Sequence, residues 1–143
     1  MAQRYRDGKL SGRGAGVMPL LSAYSTQMEQ GFISSGLERA SVVAVGCNQQ
    51  IDLEKPWALA KDETQVQKLD GLLYHLAESL RIIAILISPV LPTAAHGIFD
   101  QLNWKMELSG KEERFALKDA EWGGLPDGHL VGKPVPLFPR IEL

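Results

Sequence analysis

From Val66 the sequence carries Leu69, Leu72, Leu73, Leu76, Leu80, Ile83, Ala84 and Ile87 at helical spacing, and no proline interrupts the row until Pro89. Residues three and four apart lie on one side of an α-helix, so the row is a wide apolar stripe on one long helix that begins at Glu63 or Thr64. From Ile82 onward the segment is apolar on nearly every side, which predicts a helix enclosed at the centre of the fold. Such a helix needs partners. They must themselves be helices, because no strand-like alternation and no internal repeat occurs through this region.

The flanking segments supply those partners. Val17 to Phe32 reads as a helix with Pro19 tolerated in its first turn and with Leu20, Leu21, Tyr24, Met28 and Phe32 as its buried stripe. Ser34-Ser35 offers a cap for the next helix, which carries Leu37, Ala40, Ala44, Cys47 and Ile51 inward. That helix stops before Pro56, since proline disfavours helical backbone in the residue preceding it. Pro92 opens another, with Ala94, Ala95, Ile98, Phe99 and Leu102 facing inward, and Trp104 closes the core behind it.

The two ends read differently. Met1 to Arg6 has the character of the last turns of a helix whose beginning is missing, and Gly8, Gly12, Gly14 and Gly16 make the stretch from Asp7 a loop. Beyond Trp104 the chain is charged and irregular as far as Gly124. Pro126-Asp127-Gly128 signals a turn. The short apolar pieces Leu130-Val131 and Val135 to Phe138 predict an extended tail that packs back on the helices. Trp122 either pins that segment or meets another domain. The expected fold class is all-α: an antiparallel bundle of four or five helices with an extended C-terminal tail. It forms one domain over residues 1–143, with the first helix truncated and 105–143 mostly irregular.

A chain of 143 residues is long enough for a single core. Its 45% hydrophobic and 22% charged content is that of an ordinary globular protein. The formal net charge of -2 excludes a generic polyanion binder, so any contact with nucleic acid has to be local and led by shape. Arg4, Arg6, Lys9 and Arg13 against Asp7 make either a phosphate-facing patch or a solvated helix end. One cysteine, Cys47, excludes an intrachain disulfide and a cysteine-based zinc site; it reads as a small core residue. The run from Ile82 to Ile87 is far short of the roughly 20 residues needed to span a bilayer. No signal peptide is visible, and a cytoplasmic, membrane-free location is expected.

Catalytic chemistry has no foothold. His75, His96 and His129 are dispersed, and neither a His-Glu-x-x-His pair nor a phosphate-binding Gly-x-x-x-x-Gly-Lys-Ser/Thr loop occurs. No catalytic residue, no metal ligand and no cofactor is assigned within the chain.

The segment Asn48-Gln49-Gln50-Ile51-Asp52-Leu53-Glu54-Lys55-Pro56-Trp57-Ala58-Leu59-Ala60-Lys61 carries most of the functional information. Asn48 and Asp52 are four apart and share a helix face; Pro56 continues the row and Trp57 stands at its lip. A flat ring beside two hydrogen-bonding side chains is what an unpaired nucleotide needs: the ring stacks on a base and the polar groups read its edge. The same pattern also suits a tryptophan plugging the core at a helix junction, and local spacing favours the plug because tryptophan is mostly buried in proteins.

Asn-x-x-Ile-Asp-x-x-x-Pro-Trp-x-Leu-Ala-Lys resembles the signature of the anticodon-binding domain of bacterial methionyl-tRNA synthetases. Arg4 to Leu10, Ser79 to Ala84 with Pro89 to Pro92, and the ending Leu137-Phe138-Pro139-Arg140-Ile141-Glu142 are similar to further segments of that family, in the same order. The resemblance implies that Trp57 stacks on the first anticodon base and that Asn48, Asp52 and Pro56 line the same pocket. It further implies a partner, the anticodon loop of methionine tRNA, and a catalytic domain of the same enzyme that uses ATP. The His-Ile-Gly-His-like and Lys-Met-Ser-Lys-Ser-like motifs of such a catalytic domain do not occur here. Many members carry tyrosine where this chain has Gln50, and the anticodon-contacting asparagine and arginine of the family's first helix lie upstream of Arg4. Two rival readings are a stand-alone helical interaction module without RNA binding and the equivalent domain of a related synthetase. The closing Leu-Phe-Pro-Arg-Ile argues against the latter.

Overall fold

The fold is described from a computed structural model, over residues 17–104, 116–126 and 128–140. Expectations for residues 1–16, including the basic cluster at Arg4 to Arg13, and for 105–115 lie outside the described residues. Among the described residues there are five α-helices: α1 (Val17–Glu29), α2 (Ile33–Glu54), α3 (Pro56–Leu59), α4 (Val66–Ile87) and α5 (Pro92–Gln101). Short 3-10 turns sit at Glu63–Gln65 and Leu117–Ala120.

α4 is the centre, as its periodicity predicts. Leu72, Ile82, Ala84 and Leu86 are fully buried, and Ile83 and Ile85 nearly so. α1 packs on α2, α2 on α4, and α4 on α5 and on the turn at Leu117–Ala120. Pairing along α2 and α4 is antiparallel: Glu54, at the end of α2, lies beside Lys68 near the start of α4. Val43 and Cys47 meet Ile83 further along. Tyr24 fixes α1 to the same helix by donating its hydroxyl to the Leu86 carbonyl at 2.7 Å.

α1 ends at Glu29, earlier than its stripe suggests, so Phe32 is no part of that stripe; it is 60% exposed. Gly31 makes the turn at φ 81, a left-handed conformation that costs glycine nothing. Phe32 then occupies the N-cap of α2, and no side chain caps that end, so the Ser34-Ser35 cap is not used. The apolar row of α4 is wider than its buried face: Val66, Leu73 and Leu80 are exposed. With Leu76, Ala77, Leu102, Leu125, His129 and Val131, the last two of these line an apolar groove of about 720 Å³.

Two charged residues at the heart of α4 hold the segment 119–125. Glu78 and Arg81 are both wholly buried and form a two-point ion pair, Nη2 to Oε1 at 2.5 Å and Nε to Oε2 at 3.0 Å. The carboxylate accepts the backbone N–H groups of Gly123, Gly124 and Leu125 at 2.8, 2.7 and 3.1 Å. The guanidinium donates to the carbonyls of Asp119 and Glu121 and lies 5.1 Å over the Trp104 ring. Trp104 and Trp122 both pack against the core, and Trp122 stacks obliquely on His75 at 5.2 Å, so Trp122 pins its own segment. The tail beyond is exposed but tethered to α5: Gly132 N–H donates to the Gln101 carbonyl, and the Gln101 side chain exchanges hydrogen bonds with the Val135 backbone.

Candidate nucleic-acid interface

The corner between α2 and α3 is built by one residue. Lys55 adopts φ 47 and ψ 71, the left-handed region. Its N–H donates to the Ile51 carbonyl at 2.9 Å, which closes α2. Its own carbonyl accepts from Ala58 and Leu59, which opens α3. Pro56 sits at the first helical position of α3, where a missing N–H does no harm. The single turn Pro56–Leu59 contains no buried residue.

Trp57 projects from that turn and is 56% exposed. It is not a core plug. Asn48 and Asp52 are exposed on α2, one turn apart on one face, and Pro56 beyond the break is half-buried. Neither polar side chain has a hydrogen-bond partner among the described residues. Both are left with unused hydrogen-bonding capacity. An amide both donates and accepts, while an ionised carboxylate only accepts. Gln50 is turned away from this face and donates to Glu54 at 2.8 Å. Asp62 closes the corner by accepting from the Thr64 N–H at 2.9 Å and its hydroxyl at 2.6 Å. These bonds hold the Asp62 carboxyl below its ordinary range.

Of the four residues singled out in the sequence, Asn48, Asp52 and Trp57 are exposed and Pro56 is half-buried. Lys55 was not among them; the signal that marks it is a bulky residue immediately before proline at a helix break. No group of three or more His, Cys, Asp or Glu side chains suited to a metal occurs among the described residues. No described helix is long and apolar enough to cross a membrane. The apolar groove on α4 is lined by none of the four.

No family model matches the chain. The methionine–tRNA ligase of Enterococcus faecalis is 32% identical over 155 aligned residues, covering 100% of this chain and 22% of the relative. That of Caldanaerobacter subterraneus subsp. tengcongensis is 42% identical over 96 residues, 67% of this chain and 14% of the relative. The apo-form methionyl-tRNA synthetase of Mycobacterium tuberculosis matches in fold with a TM-score of 0.67 at 23% identity, over 92% of this chain and 26% of that one.

The sequence likenesses place the chain among the aminoacyl-tRNA synthetases, and its all-helical fold agrees with them. Within that class the chain belongs with the methionine–tRNA ligases, as a segment homologous along its whole length. It spans about a fifth of the length of the E. faecalis relative, 22%.

Proposed function

We propose that this chain is the anticodon-binding domain of a methionine–tRNA ligase. In this reading it selects methionine tRNA for ATP-dependent aminoacylation by a catalytic domain of the same cytoplasmic enzyme. The observation that carries the reading is the exposed Trp57 ring at the α2–α3 corner; the exposed side chains of Asn48 and Asp52, without a hydrogen-bond partner among the described residues, support it. An unstacked anticodon base lies against the indole, with Pro56 as the floor beside it. Asn48 and Asp52 meet the base edge. Stacking on an aromatic ring is worth about 1–3 kcal/mol per base and tolerates any base. Selection then comes from the edge, because a wrong base leaves polar groups unpaired. In this reading ATP belongs to the catalytic domain.

The test is Trp57→Ala in the full-length ligase that carries this segment. Aminoacylation falls tenfold or more, since tenfold is about 1.4 kcal/mol, while methionyl-adenylate formation is spared. Unchanged aminoacylation by a folded variant defeats the assignment of Trp57.

The apolar groove beside Leu73 and Leu80 favours the second reading, a helical interaction module without RNA binding. Gel-shift titration with methionine tRNA and with an anticodon-altered tRNA separates the two. Failure of a stably folded chain to shift either RNA supports the interaction module.

A further inference from the structure

We propose that Lys55 contacts a phosphate of the RNA bound at Trp57, an inference that rests on the anticodon-binding reading. A residue other than glycine at φ 47 is uncommon, and a long side chain there is strained. The residue before proline is normally extended, so Lys55 departs from the usual conformation on that count as well. Glycine would make the same corner without strain. The lysine stem and charge are therefore held at this spot against the conformational preference of the backbone.

Its surroundings leave the ammonium available. Glu54 is engaged by Gln50 and by Lys68 at 3.9 Å. Asp62 is committed to Thr64. No carboxylate lies within ion-pairing distance of the exposed Lys55 side chain among the described residues. Two peptide units separate Lys55 from Trp57, at most about 7 Å between Cα atoms, a span comparable with that from a base to its own phosphate.

The chemistry asks for a cation here. A nucleotide on Trp57 brings its phosphodiester into a chain of net charge -2, with Asp52 on the adjoining face. The ring and Asn48 serve the base and leave the phosphate charge unmatched. Lys55 supplies that match while its backbone forms the corner that presents the ring.

The experiment titrates the full chain with an RNA hairpin carrying the anticodon stem and loop of methionine tRNA, at several salt concentrations. Wild type is compared with Lys55→Gly, Lys55→Arg and Trp57→Ala. Lys55→Gly weakens binding about three- to tenfold and flattens the slope of log affinity against log salt by about 0.7–0.9, one phosphate contact. Its thermal midpoint is equal to or above wild type, because the strain is gone. Lys55→Arg keeps wild-type binding and slope. If Lys55→Gly binds with wild-type affinity and slope but melts earlier, Lys55 only complements the C-terminus of α2 and the proposal is overturned. Trp57→Ala tells the two failures apart: weakening there with none at Lys55 sinks this inference alone. Wild-type binding by both variants, or no binding by the wild-type chain, sinks the anticodon reading with it.

Discussion

Glu78 and Arg81 neutralise each other one helical turn apart in the middle of the core, and between them they bind five backbone groups of the segment 119–125. Burying a charge is costly unless it is paired and fully hydrogen-bonded. Here both conditions are met, and the pair does for an irregular segment what a ladder does for a strand. Arg81→Met leaves the Glu78 carboxylate buried without its cation. The expected loss is about 3–5 kcal/mol of unfolding free energy, the usual cost of breaking a buried pair, read from urea denaturation. The double variant Glu78→Leu/Arg81→Met recovers part of this stability, although segment 119–125 then loses its anchor.

Gly124 tests the same clamp from the other side. A Cβ at this position would stand 2.5 Å from the Arg81 guanidinium carbon. Arg81 has no room to yield, since its nitrogens are held by Glu78 and by two carbonyls. Gly124→Ala is expected to cost about 1–3 kcal/mol, the range for forcing extra volume into a packed site. Gly128→Ala is the useful control: nothing lies near its Cβ, so what it loses comes from φ 68 alone. A smaller loss at Gly124 than at Gly128 in chemical denaturation contradicts the close approach.

Cys47 gives the fold a pH signature. Burial pushes its thiol above the ordinary 9.0, and the neighbouring Ser79 hydroxyl acts weakly in the opposite direction. The folded chain therefore holds this proton more tightly than the unfolded chain. The corresponding stability is complete below pH 9 and declines as pH rises through 9 toward the raised value. Denaturation midpoints across this range should fall for wild type and fall less for Cys47→Ala. Alkylation of Cys47 in the native chain at neutral pH should be slower than in the chain unfolded by urea.

How much of this could be read in advance depends on whether the information was local. α4 was legible because its apolar spacing runs through 22 residues, and the break at Pro56 because proline acts on its immediate neighbour. Phe32 misled because periodicity does not mark where a helix stops; Gly31 ends the register before it. The Glu78–Arg81 clamp was invisible because its partners lie 38 to 47 residues away along the chain. A paired Glu and Arg three apart is usually a surface pair. At the candidate site the helix break was legible, but the exposure of Trp57 was not. Local statistics favoured burial, and what decides the matter is that α3 is one turn long and contains no fully buried residue.

Stacking and edge recognition make different predictions for Trp57 and Asn48, and this separates a ring that merely adheres to RNA from a site that selects. Loss of the ring removes an interaction that every base can make. Trp57→Ala should therefore weaken matched and anticodon-altered hairpins by similar factors, about 1–3 kcal/mol each, with the gap between them nearly unchanged. In the proposed reading Asn48 acts on the edge, where a mismatch leaves a donor or acceptor without a partner at a cost of about 1–3 kcal/mol. Asn48→Ala should weaken the matched hairpin and leave the altered one where it was, so the gap narrows. Both side chains are exposed in the free protein, so neither substitution should shift the thermal midpoint by more than a degree or two, and any larger shift would implicate folding. Competition titrations with the two hairpins measure all four quantities, and equal losses on both RNAs for Asn48→Ala would remove it from the reading surface.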